Sequence, residues 1–179
     1  ITHKLNHLGG TLDPHACFLL HRGIKTLALR VRQQNASALE IARFLESRPE
    51  VERVHYPGLN SHPQHKRARE LFDGFGGMLS FELQGGVEPA ERFIRNTNIP
   101  ICPPSLGGVE SLITRPVTTS HAFLSPEECK QVGISEGLIR LSVGLEATAD
   151  ILSDFDQALR TSKLYRRVLR DQQQDNPGY

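Results

Sequence analysis

Apolar residues recur along this chain at two spacings. From Ile24 to about Ser47 they fall every third or fourth place, with Leu27, Val31, Leu39, Ala42 and Leu45 among them, which predicts one long helix with a single buried face. Val51–Tyr56 and Met78–Leu83 alternate instead, as half-buried strands do; Pro57-Gly58 stops the first and Gly85-Gly86 the second. Leu138–Val143 is apolar nearly throughout and predicts a strand buried on both faces. Asp13-Pro14 pairs an N-cap residue with proline at the first helical position, predicting a helix to about Arg22 that Gly23 ends. After the polar turn Asn60–Pro63 comes a basic amphipathic helix through about Phe72, then a glycine-rich break from Gly74 to Gly77. Glu88 to about Asn96 predicts a helix with Ala90, Phe93 and Ile94 on one face. Ser125-Pro126-Glu127-Glu128 starts another with cap, proline and acidic first turn, and the last runs from about Thr148 to Lys163. Prolines 100, 103 and 104 keep Ile99–Pro104 extended, while Leu112–Thr114 and Val117–Thr119 read as a strand interrupted by proline.

Short strands separated by helices predict a layered α/β module, a small sheet covered by helices. At 179 residues and 20.0 kDa the chain is long enough for one domain with a real core. A formal charge of +1 and a pI near 8.0 give no electrostatic case for nucleic acid or membrane surfaces. No apolar run approaches the ~18 residues of a membrane span, and Ile1-Thr2-His3-Lys4-Leu5 lacks a signal peptide's apolar run. Three cysteines, Cys17, Cys102 and Cys129, with no CxxC, argue against a disulfide scaffold and against a zinc site, so a reducing cytoplasm is the expected compartment. His3 and His7 have the i, i+4 spacing of metal ligands but no third ligand nearby, and no metal is expected. His62 and His65 read as solvated, and Lys66, Arg67 and Arg69 as a solvated basic face without the interleaved aromatics of a nucleic-acid surface. Tyr165–Tyr179, rich in Arg, Gln and Asp, reads as a frayed, flexible tail. The chain opens without a methionine in what reads as mid-helix, as a piece of a longer polypeptide would.

Two stretches stand apart from ordinary core packing. In Ser105-Leu106-Gly107-Gly108-Val109-Glu110-Ser111, two prolines precede a serine and two glycines let the backbone approach another group closely. A rigid turn presenting Ser105 and the following backbone N–H groups is expected, with Glu110 supporting it by hydrogen bonding. In Gly137-Leu138-Ile139-Arg140-Leu141-Ser142-Val143-Gly144, a lone arginine sits in an apolar strand. An unpaired charge there is costly, so Arg140 needs an anionic partner, and its fork matches a carboxylate in bidentate fashion.

Ser105–Pro116, Thr119-Ser120-His121 and the run from Gly133 to Glu146 resemble the C-terminal part of the cysteine and methionine metabolism enzymes that use pyridoxal phosphate: cystathionine γ-lyase, cystathionine γ-synthase, methionine γ-lyase and relatives. The likeness also takes in Leu12-Asp13-Pro14, His21–Leu27, Tyr56–Leu59 and Gly76–Met78, and reaches about Leu159. It implies the C-terminal domain of a fold-type I pyridoxal-phosphate enzyme, its small sheet mainly antiparallel. Residues 1–47 would close the large domain and form the connecting helix, and 48–164 would form the substrate-recognition domain. The cofactor implied is pyridoxal 5'-phosphate, held by a Schiff-base lysine that the resemblance places before residue 1, in an N-terminal cofactor-binding half. Lys4, Lys25, Lys66, Lys130 and Lys163 do not sit in that motif, so no catalytic residue is expected within this chain. By the same resemblance Arg140 binds the substrate's α-carboxylate, Ser105 lies near substrate, Leu106 with Gly107 shapes the pocket, and Ser120 falls where relatives have a threonine close to the site. Pro104 stands where members acting on cystathionine often carry a glutamate for the distal ammonium group; a proline offers it no charge. The implied reaction is β- or γ-elimination from a sulfur amino acid, with γ-replacement as the alternative, in a homotetramer. A binding or assembly module that has lost the lysine-bearing half is the non-catalytic alternative.

Overall fold

The computed structural model describes residue 10 and residues 12–174, with 162–174 as backbone only. The His3–His7 pair lies outside the described residues. Helix α1 spans Pro14–Ile24, and the Asp13 carboxylate caps it by accepting from His15 N and Ala16 N at 2.8 and 3.0 Å. Gly23 does not end it. The helix runs on to Ile24, the break falls at Lys25-Thr26, and the Gly23 carbonyl accepts from Arg30 Nη2 at 2.8 Å. Helix α2, Leu27–Glu46, therefore starts three residues later than its apolar spacing predicts.

The strands are β1 (Val51–His55), β2 (Met78–Leu83), β3 (Leu112–Thr114) and β4 (Ile139–Ser142). They form one sheet in the order β1-β2-β4-β3, every neighbouring pair antiparallel. Between them lie α3 (His65–Leu71), α4 (Val87–Asn96) and α5 (Pro126–Gln131), with α6 (Thr148–Gln174) after β4. Ser125 and Glu128 make the reciprocal capping box that their spacing predicts for α5.

Helices α2, α4 and α6 cover one face of the sheet. Leu79, Phe81 and Leu83 of β2 and Ile139 and Leu141 of β4 point into that layer, against Ile41 and Leu45 of α2, Phe93 of α4 and Ile151 and Phe155 of α6. Phe93 sits edge-on between Phe81 and Phe155, with ring centroids 5.5 and 5.2 Å away. The opposite face is left to loops. The two-sided burial expected of Leu138–Val143 holds except at one position: Ile139 and Leu141 are fully buried on the helix side, Leu138 and Ser142 are buried on the other, and Arg140 between these two is half-buried.

Two further expectations change. Val117–Thr119 is not strand; Pro116–Thr118 is a 3-10 turn, because the Arg115 carbonyl accepts from Thr118 N, Thr118 Oγ1 and Thr119 Oγ1 at 3.0–3.1 Å. Helix α6 continues to Gln174, past the expected end at Lys163, through a run of strong helix formers without glycine or proline.

Asp154 of α6 fastens the segment before β3. Its carboxylate accepts from Asn98 N, Ile99 N and the side-chain amides of Asn98 and Gln157, all at 2.9–3.0 Å. Burial raises its pKa, but the Ile99 and Asn98 donors together with Gln157 outweigh burial and hold the group below the usual value of 3.8. A carboxyl whose pKa is lower folded than unfolded stabilises the fold fully above the unfolded value and loses that contribution as pH falls through the folded one. Denaturation followed by circular dichroism from pH 6 downward should therefore show a stability loss below about pH 4 that is reduced in Asp154→Asn; an identical acid limb in the variant would refute this role.

Candidate functional site

Strand register places Arg140 in a cross-sheet row. Its β2 partner is Ser80 and its β3 partner Thr114, while Ser80 faces His55 on β1. Residues opposite one another share a face, so this row lies on the side away from the helices. Arg140 Nη2 donates to the Ser105 carbonyl at 2.8 Å. Its Nε is buried without a partner. Arg48, Arg92, Arg95, Arg115 and Arg160 each meet an aspartate or glutamate, whereas among the described residues Arg140 meets none. A half-buried guanidinium satisfied only by a neutral carbonyl retains the capacity to take an anion.

The turn from Ser105 to Ser111 lies over β4 and is tied to it at alternate positions. Gly107, with φ +77°, donates its N–H to Ser142 Oγ at 2.8 Å; only glycine holds that conformation without strain. The Gly108 carbonyl accepts from Gln34 Nε2 of α2, and the Val109 carbonyl from Leu145 N, each at 2.8 Å. Ser111 is fully buried; its N–H and hydroxyl donate to the two oxygens of Glu146 at 2.6 and 2.8 Å, and its Oγ accepts from Gly144 N at 2.9 Å. Sequence reasoning assigned this support to Glu110. The Glu110 carboxylate instead folds over Gly108, and Glu146 holds the turn. The signal available was Gly144: a Cβ there would stand 2.4–2.5 Å from Glu146 Oε2 and from the Glu110 and Ser111 backbone.

The structure thus brings Ser105 and Arg140 together, through the serine carbonyl rather than its hydroxyl. Ser105 and Leu106 are exposed, Leu106 at 55%. Ser120 is exposed as well, with Oγ 2.9 Å from His121 Nδ1. It makes no hydrogen bond to Arg140 or Ser105 and joins the row indirectly, since the preceding Thr119 bonds Thr114 at 3.2 Å. Gln34, Ser142 and Glu146 carry the geometry, and none of them stands out in the sequence.

At the far edge of the sheet, Glu82 accepts from Ser135 Oγ at 2.5 Å and lies 3.2 Å from His55 Nε2. Burial raises the Glu82 pKa, but Ser135, His55 and Arg53 outweigh it and hold the carboxyl below its usual range. Burial, together with His55 and His65, lowers the His62 pKa. His65 is not solvated: it is half-buried, with Nδ1 2.8 Å from the Pro57 carbonyl and its ring against Phe75. A groove along β1, lined by Arg53, His55, His62 and Pro63 among others, lies across the sheet from Arg140. Among the described residues no three His, Cys, Asp or Glu side chains converge as metal ligands, and no helix is long and apolar enough to cross a membrane.

The donor set around Arg140, a guanidinium with free N–H groups, suits an oxyanion such as a carboxylate and offers no amine to bind an aldehyde covalently. Among the described side chains no lysine stands beside it: Lys25 caps α1, Lys66 is on α3 and Lys130 on α5. What the fold and the row define is a polar face on a small antiparallel sheet, with an arginine that meets no acid among the described residues. The chain belongs to the Cys/Met metabolism PLP-dependent enzymes, whose family model matches residues 1–160. It is 46% identical over 157 residues to cystathionine gamma-synthase 1, chloroplastic, of Arabidopsis thaliana, covering 87% of this chain and 28% of that protein. It is 47% identical over 154 residues to the cystathionine beta-lyase of Lactococcus lactis subsp. cremoris, covering 86% and 40%. A solved cystathionine gamma-lyase from Lactobacillus plantarum, complexed with L-serine, superposes with a TM-score of 0.82 at 39% identity, covering 88% of this chain and 41% of that one. The chain therefore spans well under half the length of these relatives. All belong to a family dependent on pyridoxal phosphate for the metabolism of sulfur amino acids.

Because Gly144 has no room for a side chain, Gly144→Ala should destabilise the protein by about 1–3 kcal/mol, read as a lower denaturation midpoint at unchanged slope. An unshifted midpoint would show that the Ser111–Glu146 contact tolerates displacement.

Proposed function

We propose that this chain is the substrate-recognition part of a carbon–sulfur lyase acting on thioether amino acids, and that Arg140 binds their α-carboxylate. The observation that carries the reading is the Arg140 guanidinium, half-buried, bonded to one carbonyl, and with Nε buried and unpaired. Each role follows from position. The Ser105 carbonyl holds one edge of the guanidinium and fixes its plane; the remaining N–H groups orient the carboxylate, and with it the α-carbon. Exposed Leu106 and the Gly107 backbone shape the pocket wall, and Ser120 lines its rim beyond Thr119. Pyridoxal phosphate, when bound, supplies the electron sink for bond cleavage next to the α-carbon. The net reaction is β- or γ-elimination with uptake of water, giving a thiol, a 2-oxo acid and ammonia.

The cofactor and its lysine belong to the N-terminal half of the intact enzyme. A surface for that half is present: no residue of α1 is buried, and Phe18, Leu20 and Ile24, with Leu27 and Leu29 of α2, are exposed apolar side chains. The reading extends to a homotetramer, as the resemblance implies, and to the cytoplasm, in keeping with three free cysteines. γ-Replacement on an activated homoserine is the second reading, favoured by the likeness to a γ-synthase at 46% identity. Release of 2-oxo acid without an added thiol supports elimination; turnover only with a thiol acceptor supports replacement.

In the intact protein Arg140→Ala should raise KM strongly and lower kcat/KM by the worth of a charge-assisted bidentate contact, roughly 2–4 kcal/mol or about 30- to 1000-fold. An unchanged kcat/KM would remove Arg140 from the site.

A further inference from the structure

Resting on that reading, we propose that Gln34 is a positioning residue that couples helix α2 to the carboxylate-binding turn. Gln34 is 7% exposed and is the first buried residue of α2. Before it, Leu27, Leu29 and Val31 are exposed; after it, Ala38, Ile41, Ala42 and Leu45 are sealed in the core. The residue thus marks the point where the helix passes from an open apolar surface into the module. Its amide Nε2 donates to the Gly108 carbonyl at 2.8 Å, across 74 residues of sequence.

The stem of the side chain has its own slot. Gly77, at the start of β2, would place a Cβ 2.9 Å from Gln34 Cβ, and the Gly77 carbonyl accepts from Val143 N at 2.8 Å. Gln34 therefore rests against the β2–β4 junction while its head holds the turn. The other hydrogen bonds found on residues 105–111 involve Ile101, Arg140, Ser142, Gly144, Leu145 and Glu146, all within the strand side of the module. Among the described residues, α2 reaches the turn by hydrogen bonding through Gln34.

The consequence is functional. Whatever covers α1 and the front of α2 fixes the height of Gln34, and Gln34 fixes Gly108, three residues from the carbonyl that holds Arg140. Seating of the rest of the enzyme on α1 and α2 then sets carboxylate affinity.

The test uses the full-length protein with Gln34→Met, which keeps length and removes the donor, and Gln34→Glu, which keeps shape and turns an acceptor toward Gly108. Both should raise KM for the amino-acid substrate about 5- to 20-fold with kcat within twofold, and Gln34→Lys, which restores a donor, should recover most of the loss. Amide hydrogen exchange across 105–111 in the cofactor-free protein should quicken in the Met and Glu variants, most clearly at Gly107. A merely structural role would instead lower kcat with the folded fraction and leave KM alone. Unchanged KM, or unchanged exchange in the turn, overturns the coupling. Arg140→Ala is measured beside them: if it leaves KM unchanged, the carboxylate reading fails, while the exchange rates still judge the coupling on their own.

Discussion

A charged guanidinium held partly out of water costs free energy unless something charged meets it, and the module is arranged around that constraint. Arg140 is placed by strand alternation: its neighbours Ile139 and Leu141 enter the helix-covered layer, so the arginine must face the other way. There it finds the Ser105 carbonyl and no acid among the described residues. A neutral acceptor orients the group without neutralising it. In the proposed reading the substrate's carboxylate completes the pair, and the fold holds the charge ready until substrate arrives.

The turn over Arg140 shows how such readiness is kept. Its backbone groups would lose their order if left to water, and several are instead bonded to rigid elements: Ser142 in β4, Leu145 and Glu146 beyond it, Gln34 in α2. Pre-organisation of this kind removes an ordering cost that binding would otherwise meet. Glu146 does most, since it accepts two bonds from a serine with no exposed surface. Glycines at 107 and 144 are required for separate reasons, the first for a left-handed backbone and the second for lack of space.

The strand alternation of Met78–Leu83, the proline-marked starts of α1 and α5, and the helical spacing before Ser47 were legible in the sequence because each is a local property. The antiparallel sheet, and the choice of Arg140 and Ser105 as site residues, came from the family resemblance, which the comparisons bear out at the level of fold and family. What stayed hidden is non-local. Nothing near Gln34 announces a partner 74 residues away, and Glu146 looks like any solvated acid after a strand. Val117–Thr119 has β-branched residues at strand spacing, yet a single carbonyl, Arg115, gathers their hydroxyls into a turn. Leu138–Val143 was read correctly as buried on both faces; the half-buried Arg140 is its one exception.

The most direct measurement is a crystal structure of the intact enzyme with an unreactive amino-acid substrate analogue. The account predicts the analogue's α-carboxylate bidentate on the Arg140 guanidinium at about 2.7–2.9 Å, with the Ser105 carbonyl still on Nη2. A carboxylate held by other residues, with Arg140 bonded to Ser105 alone, would contradict it.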